Sequence, residues 1–503
     1  MRRPLLALAA AVALTLPAGA QQPGKGGTLT VVLGGTLSRL DPALAASGAE
    51  DVYVNLVFNG LTRIDRDMSV RPDLAESWTA SADLKTWTFR LRDKVTFQNG
   101  RKLAAEDVVA TITRVLDAKT GLGGRAVLDG VSRVELVDPR TVRFTLAAPY
   151  AAFAGIFADP RLRIVPRDRL AELATAPVGT GPFVMRHFFP GNRMELARNP
   201  AYYEPDLPRL DAVQLRMIPD AAARLAALES GAIDILWDLP YDAADRLRTS
   251  AAVRVDSMPS AAWDAVVLHN GMKPFSDVRV RQALAASIDK DALVEKVLSG
   301  QGAPTHSPIP PGHAYYDGKL GYPAPDLARA RRLLAEAGYP NGIDIVMQVP
   351  QECERRMRLG MAVRDMARPA GFRITLERVK LASYPARVWG RQPIYVDGAR
   401  PGPGVDEAVD PYFQSGGWWN SRMWHYGNAR VDELLGLARG STDEARRAEL
   451  FRAYQAIMDQ TVPGIIAYAA MQVNGVRRTV QNFHASPMGW LELKDVWVGK
   501  ESK

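Results

Sequence analysis

The sequence predicts an α/β protein folded as two lobes, and three observations carry the prediction. At 503 residues the chain exceeds what a single hydrophobic core organises, so two to four units are expected. Beyond residue 326, helix-like and strand-like periodicities alternate, which is the pattern of an α/β lobe. Residues 263–300 read as the crossing between lobes, because a short apolar run is followed at once by a helical one.

Composition sets the outer limits. Hydrophobic residues make up 47% of the chain and charged residues 23%, a globular balance rather than a disordered one. Met1 to Ala20 has Arg2 and Arg3, an apolar run from Leu5 to Leu16, then Pro17 and Ala18-Gly19-Ala20, which predicts an export signal (residues 1–20) cleaved before Gln21. That apolar run is too short to span a hydrocarbon core of about 30 Å. Cys353 is the only cysteine, so no intrachain disulfide forms, and no cysteine stands at the cleavage point to carry a lipid. The net charge is +8, but Arg329, Arg331 and Arg332 alternate with apolar residues at helical spacing, as on a solvated helix face. No nucleic-acid partner is expected.

In chain order, residues 27–33 (GTLTVVL) read as an opening strand. Trp87, Phe89 and Leu91 alternate with Thr88, Arg90 and Arg92, giving one buried and one wet strand face. Asn99-Gly100 makes a turn, and Glu106-Asp107 load the first turn of a helix whose core face is Val108, Val109, Ile112, Val115 and Leu116. Ala104 stands where a capping hydroxyl would be worth about 1 kcal/mol. Val134 to Leu146 alternates again around Asp138-Pro139, and Gly179 and Gly181 mark a tight turn between strands. At the crossing, residues 265–268 form a strand closed by Asn270-Gly271. Ser276 or Asp277 then caps a helix carrying Val280, Leu284 and Ile288, continued after an Asp289-Asp291 break by Leu293 and Val297 and stopped at Gly300. Residues 326–341 predict a capped amphipathic helix ending at Gly338, 343–347 a strand and 440–460 a long helix.

Several of these segments resemble one family. KPFSDVRVRQALAASIDKDAL (273–293), Leu74-Ala75-Glu76-Ser77-Trp78 with the strand, turn and helix after it, Leu40-Asp41-Pro42, Phe58-Asn59-Gly60-Leu61, Pro177 to Phe183 and Arg198-Asn199-Pro200 are similar, in the same order, to the peptide-type (family 5) extracellular solute-binding proteins of ABC importers. The resemblance covers nearly all of residues 27–498. It implies a two-lobed periplasmic binding protein of the class II type with an extra smaller domain inserted in the first lobe. Residues 21–60, 170–262 and 480–503 would form lobe I, 61–169 the inserted domain and 263–479 lobe II. It further implies a monomer, free in a periplasm, that takes a small polar, peptide-like solute into an interlobe cleft and delivers it to an inner-membrane ABC permease. No cofactor, metal or enzymatic activity is implied.

An exported hydrolase is the rival. Ser287-Ile288-Asp289-Lys290 matches the Ser-x-x-Lys of penicillin-binding enzymes, and Lys119-Thr120-Gly121 is also present, but it precedes the serine instead of following it. No Gly-x-Ser-x-Gly or His-Glu-x-x-His occurs, and the six histidines are scattered.

Residues 397–430 read as a long structureless run, rich in Gly, Pro, Trp and acids, and so as a binding loop. In the peptide-binding branch a carboxylate near here holds the solute's ammonium. Counting from Arg400 places it at Asp406, and counting back from Asp410-Pro411 at Glu407; both are otherwise solvated loop charges. Asp410, Trp418 and Trp419 complete this part of the candidate site. Trp263 is either a cleft wall or a core tryptophan. The resemblance also puts Ser47 to Glu50 near the cleft, with Ala49 and Glu50 as candidates.

Overall fold

The computed structural model describes residues 24–499, so the expected export signal lies outside the described residues. The fold is built on one eleven-stranded sheet that belongs to both lobes. In the first lobe, Thr28–Leu33 runs parallel to Ala212–Met217 and to the short Ile235–Leu236, and Arg193–Arg198 and Phe183–Phe189 extend the sheet antiparallel. In the second, Ile343–Pro350 runs parallel to Phe372–Val379 and to Ile394–Ala399.

Two long antiparallel strands, Val253–Leu268 and Gly464–Arg477, join the halves. Residues 253–259 pair with 471–477, next to the first-lobe strands. Residues 263–267 pair with 464–469 on one side, and 263–268 with 394–399 on the other. The register slips between Pro259 and Trp263, so the ladder is interrupted where the chain passes from lobe to lobe. The helices that follow, Val278–Ala286 and Lys290–Leu298, are capped by the side chains of Asp277 and Asp289 and bury Val280, Leu284, Leu293 and Val297 against the second-lobe sheet.

A smaller antiparallel sheet carries the third core. Ala75–Ala80, Thr86–Leu91, Thr141–Leu146 and Val131–Asp138 lie side by side in that order. The alternation at 87–91 holds: Trp87, Phe89 and Leu91 are buried, and Phe89 and Phe144 pack on Phe157 at ring distances of 5.0 and 4.9 Å. The helix Ala105–Leu116 closes this core with Val108, Ile112 and Val115. Its missing hydroxyl cap is met in part from inside, since Asp107 Oδ2 accepts from the Ala104 backbone N–H at 3.0 Å.

One segment departs from its sequence reading. Residues 179–181 are not a turn between strands: they pass the end of helix Gly48–Val57 so closely that a Cβ on Gly179 would stand 2.0 Å from the Val57 carbonyl oxygen. Near the C-terminal end the chain comes back to the first lobe, where Leu491 and Leu493 plug its core.

Candidate functional site

The run 397–430 is not structureless. Residues 405–413 form the helix Val405–Phe413, followed by turns through 424. The helix was hidden because Gly404 caps it without a side chain and Pro411 sits inside it. What holds it is burial of Val409, Tyr412 and Phe413 at helical spacing.

Asp406 and Glu407 therefore lie in the first turn of a helix, and the reading of Asp406 as a solvated loop charge is corrected: it is 2% exposed. Arg447 donates from Nη2 to Asp406 Oδ2 at 2.5 Å, within the second lobe. Glu407 faces the other way and accepts the hydroxyl of Tyr150, from the segment after the strand Thr141–Leu146. Burial, reinforced by the neighbouring Asp406, pushes the Glu407 carboxyl up to about 7. Asp410 is also buried, its Oδ1 has no hydrogen-bond partner among the described residues, and burial and then Asp406 push it well above the carboxylate range.

The aromatic candidates divide. Trp263 is buried against Tyr412 (ring distance 5.0 Å), Phe413 and Trp424, with its Nε1 unpartnered among the described residues. Trp419 stacks on Tyr412 at 6.0 Å and meets Trp389 edge-on. Trp418 stands apart, 40% exposed, with the Arg422 guanidinium 3.5 Å over its ring. Gly464 makes room for the Trp424 ring, which a Cβ there would meet at 1.8 Å.

On the first lobe, Ala49 packs into the core. The Glu50 carboxylate accepts from the Ser38 hydroxyl and from the backbone N–H groups of Arg39, Ala46 and Ser47, so all its bonds stay within its own segment. The next residue reaches across: Asp51 Oδ2 takes Arg400 Nη2 from the second lobe, and Arg400 Nη1 donates to the Ala45 carbonyl at 3.1 Å. Nearby, burial would raise Asp159, but Arg161 more than offsets it through two side-chain bonds and a backbone one. A further contact between the halves is the Ala151 N–H on the Arg439 carbonyl at 2.7 Å, with the Arg439 guanidinium 4.0 Å over the Tyr150 ring.

Asp51, Arg400, Tyr150 and Arg439 were not among the residues singled out from the sequence. Asp51 had a signal: in Gly48–Val57 every residue but Gly48 and Asn55 is buried, and with Glu50 engaged by its own loop one carboxylate is left over. Tyr150 and Arg439 had none, since they matter only through a contact between segments nearly 300 residues apart.

The Ser-x-x-Lys match assembles nothing. The Ser287 hydroxyl donates to the Leu284 carbonyl at 2.7 Å, and the Lys290 ammonium donates to the Thr305 and Ile466 carbonyls. Burial lowers Lys290 to about 7, but its bonds go to backbone, not to the serine.

The contacts between the lobes thus form a polar seam, Asp51 with Arg400 and Tyr150 with Glu407, while Trp263 and Trp424 belong to the second-lobe core and Trp419 packs against it. The family described as bacterial extracellular solute-binding proteins, family 5 (middle part), matches residues 69–420. The glutathione-binding protein GsiB of Escherichia coli strain K12 is 27% identical over 482 residues, covering 93% of this chain and 94% of that protein. Among solved structures, AgaA from A. tumefaciens R10 in complex with agropinic acid superposes with a TM-score of 0.86 at 26% identity, covering 95% of this chain and 99% of that one. DppA from Helicobacter pylori in complex with the peptide STSA, at 24% identity and a TM-score of 0.84 over 95% of this chain and 99% of that one, shares the fold. With a family match across well over half its length and the two-lobed architecture to go with it, the chain belongs to the family 5 bacterial extracellular solute-binding proteins.

Proposed function

We propose that the protein is the periplasmic solute receptor of an ABC importer, taking a small, peptide-like solute between its lobes and presenting it to an inner-membrane permease. The observation that carries this is the seam itself. Two lobes joined by only a pair of strands among the described residues meet through Asp51–Arg400 and Glu407–Tyr150, so a solute lying there touches both lobes only when they are closed. The relatives support the solute class: GsiB binds glutathione, a peptide-like compound, and DppA was solved with a peptide. Lobe I is assigned residues 24–60, 170–262 and 471–499, because 471–477 pair with 253–259 beside the first-lobe strands and so move from lobe II, where the sequence put them; the inserted domain is 61–169 and lobe II 263–470, with the hinge at the register slip after Pro259.

Native mass spectrometry of protein purified without denaturation, followed by calorimetry with glutathione and with the dipeptide Ala-Ala, tests the reading. A bound species of peptide-like mass, or saturable binding of either probe, is expected. If no solute co-purifies and neither probe binds, the peptide-like assignment is wrong.

A further inference from the structure

The helix Gly48–Val57 buries Ala49, Val52, Tyr53, Val54, Leu56 and Val57, and carries two carboxylates into the same environment. Glu50 is saturated by donors of its own loop. Asp51 is not. It is 6% exposed, its Oδ2 receives the Arg400 guanidinium, and its Oδ1 is buried with no hydrogen-bond partner among the described residues.

The two members of this pair are unequal. Asp51 is fixed in the first turn of a helix, whereas Arg400 stands just past the strand Ile394–Ala399, at the start of Arg400-Pro401-Gly402-Pro403-Gly404, and its side chain is 37% exposed. A guanidinium on a long stem with one side already in water returns to water at little cost. A buried carboxylate has no such exit and stays ionised only beside a cation. The contrast with Asp159 is direct: its partner Arg161 is tied to it by backbone and side chain, and both side chains are at most about a fifth exposed. Burial pushes the Asp51 carboxyl upward while Arg400 pulls the other way.

We propose that Asp51 is the cleft's acceptor for an ammonium or guanidinium group of the solute, and that Arg400 is a tethered stand-in which occupies it when no solute is bound. This rests on the reading that a solute enters between the lobes. Displacement keeps the buried charge balanced, because one cation leaves as another arrives. Neutral solutes find Asp51 already neutralised and gain nothing from it.

Chemical rescue tests the acceptor without any knowledge of the natural solute. Arg400→Ala is expected to lower the melting temperature, and ethylguanidinium at millimolar concentration to restore it saturably. Its apparent affinity should be at least tenfold tighter than any response of the wild type. Neutral ethylurea should do nothing, and the Asp51→Asn/Arg400→Ala double variant should not respond to ethylguanidinium. Should Arg400→Ala fail to fold, Arg400→Gln carries the same comparison. Absence of a saturable response, or an equal response in the double variant, overturns the assignment of Asp51. The stand-in role is read separately with the solute recovered by native mass spectrometry: binding at least tenfold tighter to Arg400→Ala than to wild type is expected, and weaker binding overturns it. Rescue that succeeds while no solute is ever recovered would count against the importer reading and leave the cation site in place.

Discussion

Asp406 and Arg447 are bonded to each other at 2.5 Å inside the second lobe, with both side chains almost fully buried. Arg447 is held on its other sides as well, donating to the Tyr315 hydroxyl at 3.0 Å and to the Ala438 carbonyl at 2.6 Å. The pair therefore ties the helices Val405–Phe413, Ala429–Arg439 and Glu444–Thr461 together. Removing one partner leaves a buried charge uncompensated, which costs about 3–5 kcal/mol. Asp406→Asn is expected to lose that much stability in urea unfolding, while the protein that remains folded binds its solute as before. A variant of native stability with weakened binding would return Asp406 to the role of solute anchor.

Glu407 gives a pH prediction. The fold raises its carboxyl from 4.5 to about 7, so the folded protein favours the protonated form. A raised folded pKa contributes stability that is fully present below the unfolded value and is lost as pH rises through the folded one. Between pH 4.5 and about 7 the wild type should thus lose stability with rising pH relative to Glu407→Gln. Melting temperatures of both proteins across that window decide it, and parallel curves would show that Glu407 does not titrate there.

His269 acts in the opposite sense. Its ring stacks on His425 at 3.9 Å, and burial, then the second imidazole, lowers it from 6.5 to about 4. A depressed folded pKa contributes stability present above the unfolded value and lost as pH falls toward the folded one. Replacing His269 by Gln should flatten the acid side of the stability profile between 6.5 and about 4, measured against wild type by the same melting experiment. An unchanged profile would mean the stacked pair is open to water in solution.

Most of the frame was legible before the structure because it rests on local pattern. The alternation at Trp87, Phe89 and Leu91 and the helical spacing of Val280, Leu284, Leu293 and Val297 are set by neighbours in sequence, and each appears as the buried face of its element. The site was less legible. Helix 405–413 has a glycine cap and an internal proline, so local propensity argues against it and only tertiary burial of Tyr412 and Phe413 restores it. Asp51–Arg400 and Tyr150–Glu407 join residues 349 and 257 positions apart, and periodicity carries no information at that range.

Gly464 should tolerate no side chain. A Cβ at this position would lie 1.8 Å from the Trp424 ring, and that ring is walled in by Trp263 and Phe413 at 6.1 and 5.3 Å. Overpacking of this kind costs typically about 1–3 kcal/mol and occasionally more. Gly464→Ala is expected at or above the upper end, with the near-ultraviolet circular dichroism of the tryptophans changed. A native spectrum at native stability would show that the aromatic cluster can yield.

Closure of the lobes on each other is the last prediction. The lobes are joined by strands 253–268 and 464–477, whose ladder is broken between Pro259 and Trp263, so bending concentrates there rather than in either core. Against that hinge stand a few contacts across the seam: Arg400 on Asp51 and Ala45, Tyr150 on Glu407, and the Ala151 N–H on the Arg439 carbonyl. None is large. A neutral hydrogen bond exchanged with water is worth about 1 kcal/mol, roughly a fivefold shift in a two-state equilibrium, and one between charged groups, as in Arg400 on Asp51, about 1.5–3 kcal/mol. Without solute, both open and closed forms are therefore expected to be populated, and each seam contact removed should move the balance measurably. Tyr150→Phe is expected to raise the radius of gyration of the solute-free protein in small-angle scattering, and saturation with the recovered solute should bring wild type and variant to the same smaller value. If scattering is identical for both proteins with and without solute, the lobes do not move. The solute would then bind to a preformed cleft, and the contacts across the seam would be permanent parts of the fold.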